Sequence, residues 1–470
     1  MLVAPVARFV AFALFAVAGA SVVPLILCLI GGAQDEDGYL LALSVSLFLG
    51  GLSLSLSYAP SRGPAAKSGL RELMLALLLF WAGVPVAAAL PFVEQGWALG
   101  DAWFEAVSGL TTTGGWLSDP SARASLPGAL YRAELQWVGG LVSLCTAAAL
   151  FVRPEFIGVA PVVPPFARGE SGSYLRAFRA AFGVFLPVFA GLTALSALGF
   201  LALSVPPGEA VVMALSLIST GGFVPHPGGI AAYGVGAQAL GVIVMLIGAA
   251  NFIVVAGIAS GRGRRMRGGE DRETLALALL VPGVGLLFWL STGAGDWDRL
   301  LRQAFNAASV LSTNGITVGE PPQLTPVLVT AVIGGAAVST AGGIKLLRWL
   351  VTFTRMREEL WKLSHPGGVV PDRPTANEFG VWIHTIAFTI LLALIVLVTA
   401  FFGNSLEVSA ATAVAVVANA GPLVDLAPDT TADYVLFDPA LRPFFAAGMI
   451  AGRLELVVLL VAVNRRFWQG

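Results

Sequence analysis

The chain has 470 residues, of which 57% are hydrophobic and only 12% are charged, and its mean hydropathy is +0.83. This composition excludes an ordinary water-soluble domain, in which about a quarter of the residues are charged. The formal net charge of −1 gives no sign of a strongly basic nucleic-acid-binding protein. The sequence therefore predicts an integral membrane protein.

Ten apolar stretches are long enough to cross a hydrocarbon core of about 30 Å. They lie near 7–32, 39–59, 70–93, 129–152, 176–204, 231–260, 273–293, 326–354, 378–402 and 440–464. The first is longer than the apolar core of a secretory signal peptide, so we expect it to remain as a membrane helix. Cys28 and Cys145 both lie inside apolar spans and predict neither a disulfide framework nor a metal site.

The basic residues are distributed unevenly between the two sides of the predicted membrane. Of the 27 lysines and arginines, 21 lie at Arg8 or in the segments 62–71, 153–179, 262–272, 345–373 and 465–466. The opposite side holds 17 acidic residues against five arginines. Basic loops remain in the cytoplasm, so the pattern predicts that both termini are cytoplasmic and that the acidic face is external. The basic run 262–267 lies beside a span, which favours contact with anionic lipids over nucleic acid.

Four short helical segments, each too short to cross the membrane, lie between paired spans. They run from Asp101 to Leu110, Glu209 to Ile218, Asp298 to Leu311 and Glu407 to Val417. Each begins with an acid, which suits the positive end of a helix dipole. At about 1.5 Å per residue they reach only halfway across the bilayer. We therefore predict four half-helices whose negative ends point at a shared cavity, an arrangement that favours a cation.

A polar tract and a glycine follow each half-helix directly. The tracts are Thr111-Thr112-Thr113-Gly114, Ser219-Thr220-Gly221-Gly222, Ser312-Thr313-Asn314-Gly315 and Asn419-Ala420-Gly421-Pro422. The glycines taken as equivalent, at 114, 221, 315 and 421, are 107, 94 and 106 residues apart. Four such loops around one axis can present backbone carbonyls that replace the water shell of a monovalent cation. Helix packing alone would not require four tracts at a regular spacing.

Two features in the predicted spans that follow the third and fourth tracts are unusual for membrane helices. The eighth span is interrupted by ten small residues, Gly334 to Gly343, which form a poor helix interior. They predict either an unwound loop below the filter or a helix-packing face of small residues. Arg453 lies near the middle of the last span, where a charge is costly and normally faces protein or water. It is expected either to bond a neighbouring span or to place a positive charge beside the pore.

Several motifs together resemble the Trk/Ktr/HKT superfamily of potassium transporters, particularly its bacterial TrkH branch. These motifs lie in the segments 105–114, 219–223, 334–345 and 452–455. The resemblance implies an all-α polytopic membrane protein with two N-terminal helices and four repeats of helix, pore helix, filter and helix around a pseudo-fourfold pore. The corresponding domains are 1–60 for the N-terminal helices, then repeats at 61–153, 154–260, 261–356 and 357–470.

The resemblance also assigns candidate site residues. The potassium-binding filter comprises Thr111, Thr112, Thr113, Gly114, Ser219, Thr220, Gly221, Thr313, Asn314, Gly315, Asn419, Ala420 and Gly421. The gate comprises Arg453, Gly334, Gly335, Ser339, Thr340, Gly342 and Gly343. Plant members that prefer sodium carry serine in place of the first filter glycine, so Gly114 favours potassium. Asn314, where many relatives have threonine, and the degenerate fourth tract leave the strictness of selectivity open.

The resemblance implies channel-like potassium uptake across a bacterial-type inner membrane, with potassium as substrate and no covalent cofactor. The implied partners are a second copy of the chain, membrane lipids and a TrkA-like cytosolic ring that binds nucleotide, and no nucleic acid. Symport with sodium or protons, or a less selective cation channel, remains an alternative. Proton coupling is disfavoured because Glu455 stands nearly alone among intramembrane carboxylates. An enzyme is not expected, since the chain has no phosphate-binding loop and no metal-ligand spacing among its histidines.

Overall fold

The computed structural model describes residues 3–31, 36–58, 69–117, 125–151, 174–261, 272–365, 378–427, 434–454 and 456–469. Within these ranges every regular element is a helix. Helices α1 (Val3–Gly31) and α2 (Glu36–Leu56) pack against each other, and α1 also packs against the helix that follows the first filter loop. The all-α membrane architecture expected from the sequence is therefore confirmed.

The remaining helices form four successive groups, each with a short helix between longer ones. The first group is α3 (Leu70–Leu78), a π-helical turn (Leu79–Gly83), α4 (Val84–Ala88), α5 (Leu90–Glu94), α6 (Leu99–Leu110) and α7 (Leu126–Phe151). The second is α8 (Tyr174–Ala202), α9 (Pro207–Ile218), a 3₁₀-helix (Gly229–Tyr233), α10 (Gly234–Ala249) and α11 (Phe252–Ala259). The third is α12 (Arg272–Ser291), α13 (Trp297–Leu311), α14 (Leu324–Ile333) and α15 (Leu346–Ser364). The fourth is α16 (Glu378–Phe401), α17 (Leu406–Val417), a 3₁₀-helix (Gly421–Leu426), α18 (Leu441–Arg453), α19 (Leu456–Val463) and α20 (Arg465–Gln469).

The number of uninterrupted spans differs from the sequence prediction. Eight helices in the described ranges are long and apolar enough to cross a membrane, rather than ten. The eighth and tenth predicted spans are each divided into two shorter helices, α14 and α15, and α18 and α19. The sixth predicted span also stops early, because Asn251 caps a new helix by accepting the N–H of Ile253 at 3.1 Å. These interruptions lie close to the pore helices.

The four short helices predicted from the sequence are present as α6, α9, α13 and α17, here called the pore helices. They contain 12, 12, 15 and 12 residues, and an acid occupies the first turn of each: Asp101, Glu209, Asp298 and Glu407. The last eight residues of each are almost entirely buried. The repeat boundaries remain predictions; the one placed after residue 356 falls inside α15.

Candidate ion pathway

The four pore helices end in the same local structure, which defines four filter loops. Position one is the residue after each helix, followed by positions two, three and four. These are Thr111 to Gly114 in loop 1, Ser219 to Gly222 in loop 2, Ser312 to Gly315 in loop 3, and Ala418 to Gly421 in loop 4. In every loop the N–H at position three donates to the helix carbonyl five residues earlier, at 2.8–2.9 Å. This bond is the signature of a Schellman cap.

Position two in every loop has a left-handed backbone. The φ values are 56° at Thr112, 57° at Thr220, 60° at Thr313 and 52° at Asn419. Glycine usually occupies this position of a Schellman cap, and a β-branched residue there is strained by about 1–3 kcal/mol. Such strain persists only where the surrounding structure fixes the backbone. Three threonines in this conformation therefore indicate a functional constraint on the filter loops.

The structure corrects the register of the second filter loop. Gly222 has φ +68° and occupies position four, equivalent to Gly114 (φ +69°) and Gly315 (φ +73°). Gly221, taken as the equivalent glycine from the sequence, occupies position three. The Gly221-Gly222 pair hid this shift, because two adjacent glycines cannot be distinguished by spacing alone. Gly222 is thus a candidate filter residue that the sequence prediction missed.

The filter loops touch one another in chain order and close a ring. A Cβ added at Gly114 would overlap the carbonyl oxygen of Gly221 in loop 2, and one added at Gly222 would overlap the carbonyl oxygen of Asn314 in loop 3. Gly315 in loop 3 lies against Pro422 and Leu423, which follow loop 4. The ring closes where the N–H of Gly421 donates to the carbonyl of Thr113 at 2.6 Å. The predicted filter residues are therefore brought together, and the side chains of their threonines, serines and asparagines are buried.

Buried side chains hold the chain as it leaves the filter. Glu105, on pore helix α6, accepts the N–H of Leu117 at 3.0 Å and pairs with Arg132 of α7 at 2.6 Å. Both members of the ion pair are buried, and the guanidinium of Arg132 lies over the ring of Trp116 at 5.8 Å. In the third group Asn306 replaces Glu105, and it accepts the N–H of Val318 at 2.8 Å. The same support is thus built with and without charge.

Three of the helices that follow the filter loops approach the pore helices unusually closely. A Cβ at Gly139, Gly248 or Gly452 would overlap the last carbonyl oxygen of pore helix α6, α9 or α17 respectively. Glycine at these positions lets the helix after the filter loop pack directly against the negative end of the pore helix. In the third group the chain at this level is the irregular segment 334–345 instead.

A cavity of about 390 Å³ lies beyond position four of the filter loops. Its lining includes the filter glycines Gly222 and Gly315, with Pro422, His226 and the exposed carboxylate of Asp425. By the predicted topology this cavity faces the outside, where a carboxylate favours the approach of cations.

The segment between α14 and α15, residues 334–345, is unwound, as one of the two sequence interpretations proposed. We call it the intramembrane loop. The N–H of Gly342 donates to Oγ1 of Thr313 at 2.8 Å, and Oγ1 of Thr340 donates to the carbonyl of Ile218 at 3.1 Å. A Cβ at Gly342 would also overlap the carbonyl oxygen of Ala418. The intramembrane loop therefore lies against the ends of pore helices α9, α13 and α17, on the side away from the outer cavity.

Two charged residues that the sequence prediction left out of the gate anchor the intramembrane loop. Glu273, buried at the start of α12, accepts the N–H of Ala337 at 2.9 Å. Lys345 has a left-handed backbone (φ +81°), and its Nζ donates to the carbonyl of Ala341. The position of Glu273 at the start of an apolar span is visible in the sequence, but its contact with Ala337, 64 residues later, is not.

Arg453 occupies the last turn of α18, directly after Gly452. Its Nε donates to Oγ of Ser143 on α7 at 2.7 Å. Among the described residues this hydroxyl, and not the intramembrane loop, is its hydrogen-bond partner. The buried Nη2 has no partner there. The bond to a neighbouring span agrees with one of the two sequence interpretations, and Glu455 lies outside the described residues.

The sequence interpretation assumed that Glu455 stands nearly alone among intramembrane carboxylates, but other carboxylates lie at membrane depth. Glu134 lies inside the membrane-crossing part of α7, and its Oε2 is buried without a hydrogen-bond partner among the described residues. Glu105 also lies at membrane depth but is paired with Arg132. The premise used against proton coupling is therefore wrong.

Comparison with known proteins gives full-length relatives. The Trk system potassium uptake protein TrkI of Halomonas elongata is 26% identical, with 99% of this chain and 97% of the relative covered. TrkH of Salmonella typhimurium is 28% identical, with 99% of each chain covered. The crystal structure of the potassium transporter TrkH from Vibrio parahaemolyticus has the same fold, with a TM-score of 0.83, 23% identity and complete coverage of both chains. No family model matches the chain.

These relatives are named as transport proteins rather than enzymes, in agreement with the sequence prediction. Their alignment runs through the pore helices, the filter loops and the intramembrane loop, because it spans almost the entire chain. The resemblance stated from the motifs is thus confirmed at the level of these relatives: proteins named as Trk system potassium uptake proteins match this chain over almost its whole length.

Proposed function

We propose that the chain is a channel-like potassium uptake protein in which the ring of filter loops selects the ion. The observation that carries the proposal is the set of four pore helices with identical Schellman endings. Their position-two residues are held in a left-handed backbone, and their loops contact one another in a closed order. Many membrane proteins contain one small-residue turn, but four equivalent turns meeting at one place form a coordination site.

Electrostatics favour a cation at this ring. The negative ends of the four pore helices meet beside the filter loops, and each helix end carries about half an elementary charge. The filter loops supply backbone carbonyls at membrane depth, where irregular backbone is tolerated only if it is buried in protein or lines a water-filled cavity. Acids in the first turns complement the opposite ends of the helices. Potassium is the substrate class suggested by the relatives' names and by Gly114.

The membrane potential is the proposed driving force. Moving one charge through a potential of 100 mV releases about 2.3 kcal/mol, so an inside-negative membrane can accumulate potassium without chemistry in this chain. We place the protein in a bacterial-type inner membrane with both termini cytoplasmic, on the strength of the basic-residue pattern. The second copy of the chain and the lipid contacts implied by the resemblance stay predictions, as does the lack of a covalent cofactor.

The intramembrane loop is the proposed gate. It contacts three of the four pore-helix ends and is held by side chains outside itself, Glu273 and Thr313. Arg453 adds a positive charge near the pore-helix end that Gly452 contacts, which raises the barrier for cations in a low-dielectric path. Gly334, Gly335, Ser339, Thr340 and Gly343 complete the predicted gate.

Helix α15 connects the gate to the cytosolic face. It begins at Leu346, directly after the intramembrane loop, and carries exposed apolar side chains at Met356, Leu360 and Leu363. Arg355 pairs with Glu358 at 3.1 Å on the same helix. We place nucleotide sensing in a separate cytosolic ring of the TrkA kind, which binds α15 and pulls the intramembrane loop through this helix.

Flux in liposomes tests the proposal. The purified chain is reconstituted, an inside-negative potential is imposed, and entry of potassium and of sodium is measured in separate vesicle batches. We expect potassium entry to exceed sodium entry and to increase with the potential. Equal entry of both ions, or entry independent of the potential, would contradict the proposed function. Nucleotide-dependent flux from this polypeptide alone would contradict the separate regulatory partner.

Glu134 supports a second candidate function, potassium uptake coupled to protons. A buried carboxylate oxygen without a partner inside a span is a feature of proton carriers. In the same vesicles, a pH gradient at zero membrane potential should drive potassium entry if the ions are coupled, and Glu134→Gln should abolish that entry. Entry that follows only the membrane potential would leave the channel-like function standing.

A further inference from the structure

Gln136 of α7 contacts the filter from outside the filter loops. Its side chain is fully buried, and its Nε2 donates to the carbonyl oxygen of Gly221 at 3.0 Å, across 85 residues of sequence. Its Oε1 is also buried and has no partner among the described residues. A buried amide with one unsatisfied oxygen costs stability, which indicates that its remaining bond to the filter carbonyl has a role.

In loops 1 and 2 the carbonyl at position three accepts a hydrogen bond from outside its own loop. In loop 1 the carbonyl of Thr113 accepts the N–H of Gly421 from loop 4 at 2.6 Å. In loop 2 the carbonyl of Gly221 accepts from Gln136, and the same oxygen lies against Gly114 of loop 1. A carbonyl that already accepts a hydrogen bond from the protein is fixed in direction and less available to a cation. In loop 2 this restraint comes from a side chain, so it can be removed without altering the filter loops.

We propose that Gln136 is a positioning residue that determines selectivity, because it fixes the Gly221 carbonyl at the contact between loops 1 and 2. This inference rests on the proposed function, since it concerns the same filter. Without the donor, the Gly221 oxygen is unsatisfied unless it turns towards the permeating ion. A ring whose oxygens can turn inwards adapts to smaller ions, so discrimination against sodium falls.

Gln136→Met tests the inference with little change in side-chain shape. We expect the ratio of potassium to sodium flux to fall about fivefold, which corresponds to about 1 kcal/mol, the worth of one neutral hydrogen bond. Trp137→Phe is the matched control. It removes a hydrogen bond of similar length, 2.9 Å, from the adjacent residue of α7 to Thr193 of α8, away from the filter. Its flux ratio should equal that of the wild type.

Gly221→Ala reaches the same bond from the other side and serves if the Gln136 variant fails to insert. Gly221 does not have a left-handed φ, but an added Cβ would overlap the amide group of Gln136 and displace it. We expect the same fall in the ratio, and the double variant Gln136→Met/Gly221→Ala should lose no more than either single one, because both remove one interaction.

The outcomes separate this inference from the proposed function. A selective wild type whose ratio is unchanged by Gln136→Met and by Gly221→Ala overturns the role of Gln136 and leaves the filter assignment intact. Additive losses in the double variant also overturn it. A wild type without preference for potassium contradicts the proposed function, and the inference with it.

Discussion

The filter loops and the intramembrane loop are both irregular, buried segments at membrane depth, but they are held in different ways. Each filter loop is fixed within its own group by a Schellman bond to the preceding pore helix, and this bond is repeated four times. The intramembrane loop occurs once, and long-range contacts to Glu273, Thr313 and Ile218 hold it in place. The N–H groups of Ala336 and Thr340 also donate to the carbonyls of Ala249 and Gly248. Because its bonds are not repeated and reach distant elements, we expect the intramembrane loop to move more easily than the filter loops.

Two buried glutamates show the difference most clearly. Glu105 pairs with Arg132 and supports the chain that leaves loop 1, so it is part of the fixed framework. Glu273 accepts a backbone N–H of the intramembrane loop. If the comparison is right, losing the first should damage the fold and losing the second should open the pore.

Removing the filter's ion pair should have the largest effect. Glu105→Gln leaves the buried guanidinium of Arg132 without its counter-charge, and we expect a loss of about 3–5 kcal/mol of stability. Thermal unfolding of the purified variant in detergent measures it. Glu105→Gln/Arg132→Met removes both charges and should recover most of the loss. A single variant as stable as the wild type would show that this pair does not support the filter.

Altering the filter glycine should change selectivity rather than opening. In Gly114→Ser the serine is held in a left-handed backbone conformation that is unfavourable for it, and its Cβ overlaps the carbonyl oxygen of Gly221. We expect the potassium-to-sodium flux ratio to fall at least tenfold, or about 1.4 kcal/mol. The matched control is Gly293→Ser, which also has a left-handed φ but no atom within 4 Å of the added Cβ. A folded Gly114→Ser protein with the wild-type ratio would contradict the filter assignment.

Releasing the intramembrane loop should raise basal flux and leave selectivity intact. Glu273→Leu removes the acceptor of the Ala337 N–H and leaves a buried donor unpaired, at a cost of about 1–3 kcal/mol to the closed loop. We expect potassium flux without a partner to rise about tenfold. Glu273→Gln keeps an acceptor oxygen and should behave like the wild type. Shortening the segment Gly334 to Gly343 should relieve the block in the same way. If flux is unchanged both in Glu273→Leu and in the variant with the shortened segment, the intramembrane loop is structural and not a gate.

A smaller rise in basal flux is expected from Arg453→Ala, which removes one positive charge beside the pore. Flux must be normalised to inserted protein, because the hydrogen bond from Arg453 to Ser143 is lost and the fold is weakened. Ser143→Ala is the control: it removes the hydrogen bond but keeps the charge, so its flux should stay near that of the wild type. Equal increases in the two variants would mean that the hydrogen bond, and not the charge, holds the pore closed.

Much of the framework could be predicted from local sequence. Acids at the starts of the pore helices and the glycine tract 334–343 are adjacent in the chain to the structures that they specify, and both predictions agree with the fold. The register of Gly222 could not be read from the sequence, because adjacent glycines give the same pattern in either position. The roles of Gln136 and Glu273 depend on contacts across 85 and 64 residues, which no local pattern encodes.

The places where the predicted spans break also depend partly on local sequence and partly on long-range packing. Asn251 is a helix-capping residue inside an apolar run, and this local signal could have ended the sixth span correctly. The end of α18 at Arg453 has no such signal, because it depends on the approach of Gly452 to the end of pore helix α17. Local chemistry therefore predicts the elements and some of their ends, whereas the packing around the pore decides the other ends.

The most direct test of the central claim is to locate the ion. Crystals grown with rubidium in place of potassium should show anomalous density on the axis between Thr112, Thr220, Thr313 and Asn419, and Gly114→Ser should weaken it. Density confined to the outer cavity beside Asp425, with none inside the ring of filter loops, would contradict the account.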